Sequence, residues 1–220
     1  MSYDIDLSDL ERDALTELVN IGVSRSAASL RKMVGEQVLL SVPSVEVMSR
    51  KAAATLVGER EADQLVAVQQ TFEGVFAGRA LLIFPEASSL ELVRAVAGDE
   101  LSGEDLIDIE NEALAETGNV VLNGCLATMA NMLQRSLTMS LPQVLRGDGA
   151  LLFAAREESD REGLVLFLYI NFSIRHRDIR GYIAMLMDVP SLAALKQLIR
   201  SFIERVTAES EAGTSSAASG

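Results

Sequence analysis

Glu17 and Asn20, with Asp13, Ser24 and Pro43 around them, are the residues whose types and spacing could do chemistry. On a helix of 3.6 residues per turn, Asp13, Glu17, Asn20 and Ser24 form one polar row, while Leu15, Leu18, Val19, Gly22 and Met33 fall on the opposite side. A carboxamide can orient a water molecule, and a carboxylate one turn away can pair with a lysine on a partner. Hydrolysis of a phosphoryl group asks for little more, because an in-line water and neutralised charge do most of the work. Such a pair completes a site that arrives on another protein. The metal and the other phosphate contacts are then the partner's own.

The arrangement recurs. The same offset of 99 residues separates Glu17 from Glu116, Asn20 from Asn119 and Pro43 from Pro142, and it carries Asp13 to Glu112 and Ser24 to Asn123. Leu114, Val121, Cys125 and Met132 make the apolar stripe of the second helix. One Glu–Asn pair on a helix is ordinarily a solvated face. Two copies in register, each with the same long gap to a proline, indicate a duplicated unit, and the flanking residues have diverged while these three have not.

Written out, the pattern is Asp13-x-x-x-Glu17-x-x-Asn20 leading to Pro43, and Glu112-x-x-x-Glu116-x-x-Asn119 leading to Pro142. It resembles the signature of the CheC / CheX / FliY family of chemotaxis phosphatases, and the possession of two copies is the CheC pattern. Glu112 stands where the family has Asp or Ser. The resemblance covers about residues 8–190. It implies that Glu17 and Asn20 form one site and Glu116 and Asn119 a second, each inserted beside the aspartyl phosphate of a CheY-type response regulator, with the Glu on the regulator's lysine. Asp13, Glu112, Ser24 and Asn123 are supporting positions, and Pro43 and Pro142 are structural, ending the strands that back each helix. No cofactor of its own is implied; Mg2+ belongs to the partner regulator. The alternative is a non-catalytic adaptor that binds a phosphorylated regulator or a CheD-type deamidase, and a third reading is a purely structural homodimer.

Other chemistries lack their residues. The single histidine, His176, sits in a charged segment, and the single cysteine, Cys125, falls on an apolar stripe. No His/Cys/Asp cluster has metal-ligand spacing, and no glycine-rich loop opens a helix as a phosphate cradle would. The net charge of −13 opposes nucleic-acid binding. With no apolar run long enough to span a bilayer, no secretory signal in the acidic start and one cysteine, the expected setting is the cytoplasm without membrane insertion.

The elements that must position these residues follow in order. Ser8 with Glu11 makes a capping box for a helix over 9–34, stopped by Gly35. A strand over 37–48, a short helix over 50–57, a hairpin of 64–73 and 78–85 and a helix over 86–97 follow. A polar linker over 99–108 joins the halves. The second half reads as a helix over 107–133, a strand over 135–142, a segment 151–155 open between helix and strand, a hairpin of 163–174 and 181–188 around a charged turn, and a last helix over 191–206. The composition of 207–220 predicts a disordered tail. The chain is therefore expected to be one domain over 1–206 built from two repeats, about 8–98 and 107–206. The fold class is α/β, an internally duplicated CheC-like fold with a pseudo-twofold axis and two long helices on a continuous, mostly antiparallel sheet.

Overall fold

A computed structural model describes residues 6–61, 64–97, 103–155, 163–174 and 177–217. The first half runs α1 (Asp9–Val34), β1 (Val38–Ser41), β2 (Val45–Ser49), α2 (Arg50–Arg60), β3 (Leu65–Gly74), β4 (Gly78–Pro85) and α3 (Glu86–Ala97). The second repeats it as α4 (Gly103–Met132), β5 (Leu137–Met139), β6 (Gln143–Gly147), α5 (Gly149–Leu152), β7 (Leu164–Ile174), β8 (Arg177–Met187) and α6 (Val189–Ala217). His176 lies outside the described residues.

All eight strands form one antiparallel sheet of order β1-β7-β8-β4-β3-β5, with β2 also on β7 and β6 also on β3. The two halves exchange partners. Strands β1 and β2 of the first half pair with β7 of the second, and β5 and β6 of the second pair with β3 of the first. Leu40 stands opposite Phe172 where Met139 stands opposite Phe72, which makes the exchange a pseudo-twofold operation. Strands β4 and β8 pair at its centre.

The central strands are apolar on both faces, so they read as continuous hydrophobic runs with little alternation. Val66, Val68, Leu82, Leu166 and Leu168 face the layer of α1, α3, α4 and α6, while Leu65, Ala67, Leu81, Val165 and Phe167 face α2 and α5. Among the described residues no helix is long and apolar enough to cross a membrane.

Helices α1 and α4 meet across the pseudo-dyad at unusually short range. A Cβ on Gly22 would lie 2.8 Å from the Cα of Cys125, and one on Gly124 would lie 2.0 Å from Oγ of Ser26. The buried Ser26 hydroxyl is within donating reach of the carbonyls of Gly22, Val120 and Val121 at 3.1, 3.2 and 3.3 Å. The start of α1 is held by its capping box, in which the Ser8 amide donates to Glu11 and the Glu11 amide to Ser8 Oγ. The buried Glu11 carboxylate also accepts from Arg200 of α6 and lies 3.8 Å from Lys196. Its repeat-mate Glu110 pairs with Arg146 of β6 at 3.0 Å.

Several boundaries depart from the sequence-based expectation, among them the end of α2 at Arg60 and the start of β8 at Arg177, inside the expected charged turn. The strand over 37–48 is two strands, because Pro43 has no N–H to give a ladder and restricts Val42 before it. The strand over 135–142 is likewise only Leu137–Met139, and β6 follows Pro142. Helix α4 begins at Gly103, inside the stretch read as linker, of which residues 99–102 lie outside the described residues. Helix α6 continues to Ala217 through residues read as a disordered tail; Ala208, Glu209, Glu211 and Ala212 are good helix formers, and the Thr207 hydroxyl donates back to the Ile203 carbonyl. Segment 151–155, left open above, belongs to the short helix α5 and its end.

Two outcomes are expected. Gly22→Ala should lower unfolding free energy by about 1–3 kcal/mol in a denaturant titration, because the added methyl meets backbone that must shift. For Glu11, burial raises the carboxyl, but the Ser8 amide and the Arg200 and Lys196 cations together hold it below its usual value. A carboxylate depressed in the folded state contributes stability that is complete above its unfolded value near ~4.3 and is lost as pH falls through the folded one. Glu11→Gln should therefore cost about 1–3 kcal/mol near neutrality, the half-exposed Arg200 keeping it below a fully buried pair, and the gap to wild type should close as unfolding is followed down through the carboxylate range.

Candidate functional site

The helix pair presents both predicted rows on its outer side. Asp13, Glu17 and Ser24 of α1 are exposed and Asn20 is half-buried; Glu112 and Glu116 of α4 are exposed, and Asn119 and Asn123 are half-buried. The residues opposite them are core: Leu15, Leu18, Val19, Leu114, Val121 and Cys125 are buried. Each carboxylate thus stands free in solvent beside an amide whose position is fixed by its surroundings.

At the first site the fixing group is backbone. The Val42 N–H donates to Asn20 Oδ1 at 2.8 Å, and Asn20 Nδ2 donates to the Val42 carbonyl at 3.0 Å. Val42 lies in the gap between β1 and β2, where no strand can satisfy it, and it is buried. The Asn20 amide supplies the missing ladder partner on both sides of one residue, which explains why the asparagine and the proline belong to one motif. Among the described residues, one Asn20 N–H and one lone pair of Oδ1 stay uncommitted.

The second site is built differently. The equivalent of Val42 is Leu141, which is 85% exposed where Val42 is 2% exposed, and among the described residues Asn119 makes no hydrogen bond to it. Asn119 Oδ1 instead accepts from Asn123 Nδ2 at 2.7 Å and from Gln70 Nε2 at 3.2 Å. Gln70 Nε2 also donates to the Ser140 carbonyl at 2.9 Å. Ser140 is itself tied to β3, its N–H donating to the Thr71 carbonyl and its Oγ accepting from the Thr71 N–H. Two buried oxygens of this network, Gln70 Oε1 and Asn123 Oδ1, have no partner.

Gln70 is the site residue that sequence reading passes over. It is 1% exposed and lies two residues before Phe72 on β3, where the other half has Ile170 two residues before Phe172 on β7. Its signal is Gln69-Gln70 inside an otherwise apolar strand, since a buried amide must find partners. Asn123, read as a supporting position, is bonded to Asn119. Ser24 stays apart from Asn20 and lines an open groove of about 690 Å3 with Arg31, Lys32 and Leu39, between α1 and β1. Pro43 and Pro142 both follow the strands they were expected to end.

The remaining candidates carry no chemistry. Burial pushes the Cys125 thiol up to about 12, so it stays protonated as part of the core. Among the described residues no group of His, Cys, Asp and Glu is gathered to hold a metal. The arrangement can offer a carboxylate and an oriented amide, twice, to a group brought from outside.

The two amides make opposite claims on stability. Asn20→Ala strips both partners from the buried Val42 peptide groups and should cost about 1–3 kcal/mol, whereas Asn119→Ala orphans no backbone group and should cost clearly less. Thermal or chemical unfolding of the two variants side by side checks this ordering.

No family model matches the chain. The flagellar motor switch phosphatase FliY of Bacillus subtilis is 25% identical over 208 residues, 94% of this chain; the chain spans 53% of that relative's length. The CheY-P phosphatase CheC of the same organism is 23% identical over 196 residues, 86% of this chain and 93% of that protein. Among solved structures, Thermotoga maritima FliY shares the fold with a TM-score of 0.69 at 16% identity, covering 89% of this chain and 98% of the other.

Proposed function

The chain belongs to the CheC / CheX / FliY family, and we propose that it hydrolyses the aspartyl phosphate of a CheY-type response regulator by inserting a Glu–Asn pair into the regulator's site. The observation that carries this reading is the pairing, on two adjacent helices, of a solvent-exposed carboxylate with an amide already held in place. Among the described residues an exposed Glu17 or Glu116 has no intramolecular partner to give up when it meets a lysine, so docking costs little desolvation of an existing pair. A pre-oriented amide loses little freedom when it takes hold of water or a phosphoryl oxygen, and that pre-organisation is what lowers a barrier. The charge on the phosphoryl group is met by the regulator's own Mg2+ and lysine, so this chain contributes positioning alone. The B. subtilis relatives carry phosphatase names, one of them specifying CheY-P, which supports the substrate class.

The decay of phosphoryl label from a CheY-type regulator tests the reading. Wild type should speed decay. Asn20→Ala with Asn119→Ala should return it toward the regulator's own rate, a loss of about tenfold or more. Glu17→Ala with Glu116→Ala, which disturbs no internal bond, should leave the fold intact and weaken association with the phosphorylated regulator. Binding without any acceleration of decay would overturn the proposal and leave an adaptor.

A further inference from the structure

We propose that the two sites divide the work: Asn20 orients the attacking water, and Asn119 holds the phosphoryl group without activating water. The inference rests on reading both pairs as phosphoryl-contacting sites, and its observation is the different hydrogen bonding of the two amides.

Backbone dictates each orientation. The Val42 N–H can only donate and its carbonyl can only accept, so Asn20 must place Oδ1 on the first and Nδ2 on the second. At the second site the Ser140 carbonyl can only accept, so the Gln70 group facing it is the NH2, and the oxygen of Asn119 must in turn face that NH2. Asn123 then fills the second lone pair of the same oxygen. The carbonyl of Asn119 is saturated, and its uncommitted atoms are N–H donors alone.

A water poised for in-line attack on phosphorus has to give a hydrogen bond to an acceptor so that its own lone pair points at the phosphorus. Asn20 keeps an acceptor lone pair for that water and an N–H for a phosphoryl oxygen. Asn119 can give N–H groups to phosphoryl oxygens but has nothing to receive the water's proton. Gln70 and Asn123 are therefore positioning residues that set the second site for retention. In the first half Ile170 cannot bond an amide, and among the described residues no hydrogen bond joins Ser24 to Asn20, so the Asn20 oxygen accepts from the Val42 N–H alone. Hydrolysis at the first site breaks the P–O bond of the acyl phosphate, forms a bond from water oxygen to phosphorus, and returns the electron pair to the regulator's carboxylate; both protons of the water leave on the inorganic phosphate, Asn20 only accepting a hydrogen bond.

The test combines phosphoryl decay with the stoichiometry of binding to a regulator carrying beryllofluoride in place of the phosphoryl group. Asn119→Ala should keep at least about half of the decay rate and bind one regulator where wild type binds two. Asn20→Ala should lose about tenfold in decay and still bind one. Because Asn20→Ala also removes a structural clamp, Glu17→Arg and Glu116→Arg close each site separately from exposed positions, and only Glu17→Arg should abolish the acceleration of decay. In the Asn20→Ala background, adding Asn123→Ala frees a lone pair on Asn119 and should raise decay several-fold, a gain that a merely structural role for Asn123 would not produce. Equal losses from closing either site, or no gain from Asn123→Ala, would overturn the division of labour while leaving the phosphatase reading intact. Wild type without effect on decay would overturn both.

Discussion

The structure depends on how near α1 and α4 come to one another. At Gly22 against Cys125 and Gly124 against Ser26 there is no room for a single added methyl, and the two backbones approach accordingly. Everything on the outer side is placed by that contact. It makes the helices a rigid pair, buries the stripes of Leu15, Leu18, Leu114 and Val121 against the sheet, and turns both Glu–Asn rows to the same side of the molecule. The Ser26 hydroxyl, shared between carbonyls of both helices, adds a polar lock where packing alone would permit sliding.

The far ends of the helices are held by charge. Glu11 and Glu110 are repeat-mates and both buried, Glu11 in the first turn of α1 and Glu110 about two turns into α4, yet one is tied to Arg200 and Lys196 of α6 and the other to Arg146 of β6. The same division appears at the amides, where the Val42 backbone does for Asn20 what Gln70 and Asn123 do for Asn119. Duplication preserved the positions of the key side chains and let the means of holding them diverge. Buried carboxylates and amides must be satisfied, but the satisfying group is free to vary.

Much of this was legible in the chain. The capping box at Ser8 and Glu11, the stripes of α1 and α4, the two hairpins and the duplicated motif all follow from local spacing. The split at Pro43 was half legible: the proline announces that a ladder must break, but not that Asn20 from a distant turn would take over the orphaned Val42. The partners of Gln70 were not legible, although a glutamine pair inside an apolar strand marks the position, because its role depends on which strand lies under α4, and that is fixed by the exchange of strands between halves. The extent of α6 was misjudged for a related reason: low hydrophobicity argues against burial, while helix propensity in a segment continuing an anchored helix needs little burial.

The exchange of strands also governs the order in which the molecule can be assembled. Among the described residues strands β1 and β2 have their only ladder partner in β7, so Val38 waits for Ile174 and Val45 for Leu168 before a sheet hydrogen bond forms there. A nascent chain exposes the first half's edge strands, with their Val and Leu side chains, until β7 has left the ribosome. The hairpin of β3 and β4 can close early, but the sheet cannot be completed half by half. Closing such long loops before their contacts are rewarded slows folding, which makes the newly made first half a natural client for holding chaperones.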